Sequence, residues 1–242
     1  MLKRKLIIAL TIASVTLAGL ETITFGAVAK KKRTATFKVR IENISAADGL
    51  VGLKGQKYPF ALSPGLLYVN HQKNRFFEVG KKAGSALEAQ AEDGSPELFS
   101  KKLLTQVGSA YIGIFNVPVG GSVPGPILPG GSYELTFNAS EGMRLNLIAM
   151  FGQSNDLFYS AQEALDLFDA SGNPISGEIT EKLLLWDAGT EKNQAPGFGD
   201  EQAPRQKMAN TGTPEFGKVS LVKDGFEYPD VKDVLRVTIE AR

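Results

Sequence analysis

From Thr34 the chain alternates apolar and polar positions with a period of two. Ala35, Phe37, Val39 and Ile41 fall on one side, and Thr36, Lys38, Arg40 and Glu42 on the other. That pattern belongs to a strand with one face on a core. The closing residues repeat it, with Leu235, Val237, Ile239 and Ala241 set against Arg236, Thr238 and Glu240. The first and last strands are therefore expected to pair or to lie in neighbouring positions. Between them, Ala110 to Val117 and Ser132 to Ala139 also alternate, whereas Arg144 to Phe151 and Ile179 to Trp186 are continuous apolar runs. Continuous runs predict strands buried on both faces. Helix signals are few. Ser95-Pro96-Glu97 predicts a short helix with Ser95 as N-cap and Pro96 in the first position, running through Leu98, Leu103 and Leu104. Ala86 to Ala91 predicts another turn or two. The Gly- and Pro-dense stretch 118–132 predicts an extended loop. Residues 187–210 form a polar segment too long for a hairpin connection, a kind of loop that is usually functional or ligand-ordered. No βαβ alternation occurs, and the expected fold is an all-β antiparallel sandwich with long loops and one or two short helices.

The first residues follow a different pattern. Met1 to Lys5 is a basic head, Leu6 to Leu20 is apolar, and Ala27-Val28-Ala29 has small residues at cleavage spacing. This predicts a signal peptide over 1–29, with a single domain over 30–242 that is secreted or periplasmic. The alternative is a retained N-terminal anchor. The apolar run is diluted by Thr11, Ser14 and Thr16, and a spanning helix wants about 20 apolar residues. No second run of spanning length follows, so no membrane span is expected after cleavage.

Composition narrows the chemistry. The hydrophobic share of 43% supports a real core, and 26 Gly with 12 Pro favour turns over a helical bundle. The 27 basic and 26 acidic residues leave a formal charge of +1, which falls to −1 if Lys3, Arg4, Lys5 and Glu21 are removed with the leader. No global field for nucleic acid results. With no Cys and one His, the chain has no disulfide, thiolate zinc site, iron–sulfur cluster or multi-histidine centre. An exported chain of this kind must hold together by packing or by something else, such as a bound ion.

His71, the sole histidine, follows an apolar run and reads as a strand-end residue; no G-x-S-x-G accompanies it. Gly212 to Lys218 imitates the start of a phosphate loop, but Val219 stands where Ser or Thr is needed and Pro214 interrupts it. Glu88 and Glu92 share a helix face and with Asp93 could bind a cation, but the commoner reading is a solvated helix face ending at Gly94. Asp156, Asp187 and Glu191 are more informative. The first two follow apolar strands, on loops containing Gly, and Glu191 stands four residues after Asp187. Spacing alone fits either a hard cation such as Ca2+, which takes six to eight oxygens, or Asp residues capping their own turns.

Several motifs occur together in order. Leu185-Trp-Asp-Ala-Gly-Thr-Glu191, with Ala203-Pro-Arg-Gln206 downstream, resembles the "PWDAGTD … IPQ" signature of the spondin N-terminal domain, the family of F-spondin and mindin. Gly152-Gln-Ser-Asn-Asp156-Leu-Phe is similar to that family's "PSPDW" segment, Ser63-Pro64 with His71 to its "SP…H" stretch, and Leu87 to Gly94 to the "LExxAEDG" stretch of bacterial members. Val234 to Arg242 resembles the closing strand. The resemblance implies a C2-like sandwich with a calcium ion held at one end. Carried over by position, the ligands are Asp156 and Asp187, then Glu191, then Glu134 upstream of the buried strand. Animal members carry cysteines and thrombospondin repeats; this chain has neither cysteines nor a following repeat, and Asn155 replaces a family Pro. The expected function is a non-catalytic calcium-binding module for adhesion or surface recognition, probing a protein or glycan ligand, and expected to be a monomer. Two alternatives stand beside it: a hydrolase using the paired carboxylates, and a calcium-dependent lipid-binding module inserting Leu157 and Phe158.

Overall fold

The computed structural model describes residues 32–51, 55–72, 76–105 and 111–242. The expected leader, 1–29, lies outside these residues. In chain order the strands and helices are β1 (Thr34–Asn43), β2 (Leu50–Val51), β3 (Lys57–Tyr58), β4 (Leu62–Asn70), α1 (Ser85–Asp93), α2 (Glu97–Leu104) and β5 (Tyr111–Phe115). They continue with β6 (Ser132–Ser140), β7 (Arg144–Phe151), β8 (Leu157–Ala161), β9 (Leu165–Asp166), β10 (Gly177–Glu178), β11 (Leu183–Asp187), β12 (Ser220–Leu221), α3 (Val231–Val234) and β13 (Leu235–Ala241). Every pairing is antiparallel. The fold is an all-β sandwich with short helices, as the alternation predicts.

One sheet has the order β10-β13-β1-β6, and the other β12-β11-β8-β7-β4-β5 with β9 added on β7. The first and last strands do pair, with Phe37 opposite Ala241 and Asn43 opposite Leu235. Between the sheets lies a core built from Phe37, Val39 and Ile41 of β1, Leu67 and Val69 of β4, Leu145, Leu147 and Phe151 of β7, and Leu183 and Leu185 of β11.

The continuous run of β7 has a physical cause. Its odd-numbered residues enter the sandwich core, while Ile148 joins a second cluster with Leu66, Phe158 and Trp186. That cluster is covered by Ala86, Leu87 and Ala91 of α1 and by Phe99 and Leu103 of α2. The seven-stranded sheet is thus buried on both faces, by a second sheet and by a helical layer. Trp186 is fully buried there, its indole N–H donating to the Ser160 carbonyl at 3.0 Å.

Three details depart from the sequence pattern. The run 179–186 is not one strand, because Thr180–Lys182 winds a 3-10 turn before β11. Helix α2 starts from Pro96 as its N-cap, and Ser95 instead donates its hydroxyl to the Glu97 carboxylate at 2.6 Å. The α1 helix ends at Gly94 with φ of 62°, and a Cβ there would lie 2.5 Å from the Ser63 Cβ. Only glycine allows both the left-handed turn and that approach. Fully buried Gln90 reinforces the contact, its amide donating to the Pro64 carbonyl at 3.0 Å. The last turn of α1 is fixed in this way against the start of β4.

Candidate metal centre

Strand β7 ends at Phe151, β8 begins at Leu157, and β11 ends at Asp187. Because Met150 pairs with Phe158 and Leu157 with Asp187, these ends coincide at one rim of the seven-stranded sheet. The connecting segment 152–156 and the long polar segment after Asp187 meet there. They are joined by Asn155, whose side-chain carbonyl accepts the Gln194 N–H at 3.0 Å. Fully buried Gln202 holds the far side of the loop by donating to the Ala195 carbonyl at 2.9 Å. The long segment is therefore ordered by its own amides.

Asp156 is fully buried. Its Oδ2 accepts the Thr190 N–H at 2.7 Å, the Thr190 hydroxyl at 3.1 Å and the Glu191 N–H at 3.1 Å, while its Oδ1 has no partner. Burial pushes this carboxyl up to about 6, and the charge of Glu191 adds to the rise against the pull of the three donors. Glu191 is also buried. Its Oε1 accepts the Gly212 N–H at 2.7 Å, and its Oε2 has no partner. A Cβ on Gly212 would lie 2.0 Å from that free oxygen, so glycine is what lets the backbone approach the carboxylate. Burial raises this carboxyl too.

Asp187 is half-buried and differently engaged. It accepts the Gly189 N–H at 2.6 Å and the Asn193 amide at 2.7 Å, which is the turn-capping role that spacing left open. Burial and then the Asp156 charge push its carboxyl up to about 7. It opens onto a cleft of about 680 Å³ with Asn193, Glu215, Lys218 and Asp224 on the walls. Strand parity accounts for its separation from Asp156. Asp187 continues the parity of Leu183 and Leu185, which enter the sandwich core, whereas Asp156 continues that of Phe158, which faces the helices.

Glu134 is not brought to this rim. It lies on β6 in the other sheet, opposite Arg40, and bridges Lys38 at 2.9 Å and Arg40 at 2.6 Å. Those partners' hydrogen bonds hold its carboxyl below the usual range. Its charge is thus matched by two bases on the other sheet, and the structure does not gather it with the acids at the rim. Leu157 and Phe158, the residues expected to insert into lipid, are fully buried in the sheet.

The residue that spacing undervalued is Glu92. Read as part of a solvated helix face, it is instead 2% exposed, with Oε2 unpartnered. Burial pushes its carboxyl up to about 8; a hydrogen bond with Thr190 opposes this, and the charges of Glu191, Glu88 and Asp93 add to it. Asp93, next in the chain, accepts the Gln206 amide at 2.8 Å. His71 is exposed at the end of β4. The 212–218 segment cradles no phosphate geometry; it pairs with the acidic loop through Gly217 N–H to the Gly189 carbonyl at 2.9 Å.

The donors at the rim are all oxygens, and Asp156 Oδ1, Glu191 Oε2, Glu92 Oε2 and Asn193 Oδ1 are buried without partners. Such a set suits a hard cation. As they stand among the described residues, no three acidic or histidine side chains are gathered closely enough to hold an ion at once. Compared with known proteins, the chain matches no family model and no curated protein.

Proposed function

We propose that this protein is an exported, calcium-binding sandwich module of the spondin N-terminal, C2-like type, acting without catalysis in adhesion or surface recognition. The observation that carries this reading is the set of buried carboxylate oxygens without partners at one rim, with no basic side chain among their described hydrogen bonds or ion pairs. Leaving buried acceptors unpaired is costly, and a divalent cation would satisfy several at once. Asp156 and Glu191 would hold the ion from the sheet rim, with Asp187 and Asn193 beside the open cleft. The ion would offset the mutual repulsion of these acids and stiffen the 187–210 loop, whose outer surface then meets a protein or glycan partner. The burial of Asp156 and Glu191 also favours a binding role over hydrolysis, which needs two carboxyl groups open to one substrate cleft.

Calorimetric titration of the purified protein with calcium tests the reading, followed by the same titration on Asp187→Ala. Heat of binding in the native protein is expected. Because Asp187 also caps the turn through Gly189 and Asn193, Asp187→Ala should lower thermal stability in chelator and lower it further in calcium. Equal loss under both conditions would count against a shared ion.

A further inference from the structure

Resting on the cation reading above, we propose that Glu92 is a further ligand of that ion, so that the site spans the sheet rim and the helical layer instead of the strand-end loops alone. The argument begins with position. Glu92 lies in the last turn of a nine-residue helix with no basic residue in that turn. A carboxylate at a helix C-terminus meets the negative end of the macrodipole, which is unfavourable by about 0.3–1 kcal/mol at exposed sites. Glu92 adds burial to that penalty, being 2% exposed, and its Oε2 has no partner. The docking of α1 leaves it little freedom to escape, because Gly94 and Gln90 pin the same turn against Ser63 and Pro64.

Its neighbours point the same way. The Thr190 hydroxyl donates to Asp156 Oδ2 at 3.1 Å and lies close enough to Glu92 to pull its carboxyl down, so one side chain stands between the two acids. Glu191, the next residue, raises both carboxyls by its charge. Asp156, Glu191 and Glu92 are the three acids of the protein's described portion that are each under a tenth exposed, and each keeps one oxygen free. Strand parity turns Asp156 toward the helices and Asp187 away from them. An ion that drew these side chains together from their present spacing would therefore take its third carboxylate from α1 and not from β11. An ion bound there would tie α1 to the 187–193 loop.

Two measurements test this. Calcium titration of Glu92→Gln, which keeps size and shape, is expected to show affinity weakened by at least about tenfold, as calcium affinity follows the number of charged ligands. In chelator, Glu92→Gln should be at least as stable as the native protein, since a repelling charge has gone. Hydrogen exchange on the native protein needs no variant: calcium should slow the amides of residues 87–93 more than those of 98–104. A weakening of less than about tenfold, or no added protection in 87–93, overturns the assignment of Glu92 while leaving Asp156 and Glu191 in place. Absence of any binding heat in the native protein sinks the cation reading itself.

Discussion

Glu134 and Glu42 on the four-stranded sheet, and Asp156, Glu191 and Glu92 at the rim of the seven-stranded one, are acids of one chemical kind in opposite surroundings. On the first sheet both of these carboxylates have bases: Lys38 and Arg40 on Glu134, and Arg40 and Arg236 on Glu42 at 3.2 and 2.8 Å. Hydrogen bonds from those bases hold both acids below the ordinary range. At the rim the acids accept only from backbone amides, a hydroxyl and side-chain amides, and burial raises all of them. Acidity of sequence is the same in both places. What separates a surface network from a candidate ion site is whether the fold supplies compensating charge.

That contrast can be broken in solution, and the largest effect should come from pH. Groups whose folded pKa is raised stabilise the fold fully below their unfolded value, and this contribution is lost as pH rises through the folded value. For Asp156, Asp187 and Glu92 the loss runs from about pH 4 through about 6, 7 and 8 respectively. In chelator, stability by urea denaturation should therefore fall by several kcal/mol, in total roughly 3 or more, between about pH 4.5 and 8.5, and calcium should restore most of it at the upper end. A profile rising with pH in chelator would contradict the uncompensated rim.

Asp156→Ala comes next. It strands the Thr190 and Glu191 amides in a buried site, and about 3 kcal/mol of stability should be lost even at pH 5. Gly212→Ala should cost about 1–2 kcal/mol by pushing the Glu191 carboxylate aside, with calcium affinity falling alongside. Glu134→Gln should be mild, within about 1 kcal/mol, with calcium affinity unchanged. A calorimetric change in calcium binding for Glu134→Gln would erase the distinction between the two groups of acids.

Much of the sandwich was legible along the chain, because its strands obey simple parity. The alternation in 34–42 and 235–241 announced two one-sided strands, and these pair in register. The continuous run of β7 announced burial on both faces, though nothing in the sequence said that α1 and α2 supply the second cover. Glu92 was misread for that reason. Its spacing from Glu88 describes a helix face, and only the overlying 187–193 loop, almost a hundred residues away, makes that face an interior. Glu134 was avoidable. Tyr133, Leu135 and Phe137 turn inward on β6, so the residue between the first two must face outward, where Arg40 stands opposite. The split between Asp156 and Asp187 also follows parity, but it needed the register of β8 on β11 to be seen.

The pairing of β1 with β13 has a mechanical consequence. Phe37 lies opposite Ala241, and the Arg242 N–H donates to the Thr36 carbonyl at 2.8 Å, so the chain enters and leaves the domain side by side. Tension applied between those two points would peel the strands apart like a zip, one hydrogen bond at a time, and yield at low force. Tension applied between the rim loops and either terminus would load many bonds in parallel. In the proposed surface-recognition role, the direction of pull would then decide how long the domain holds.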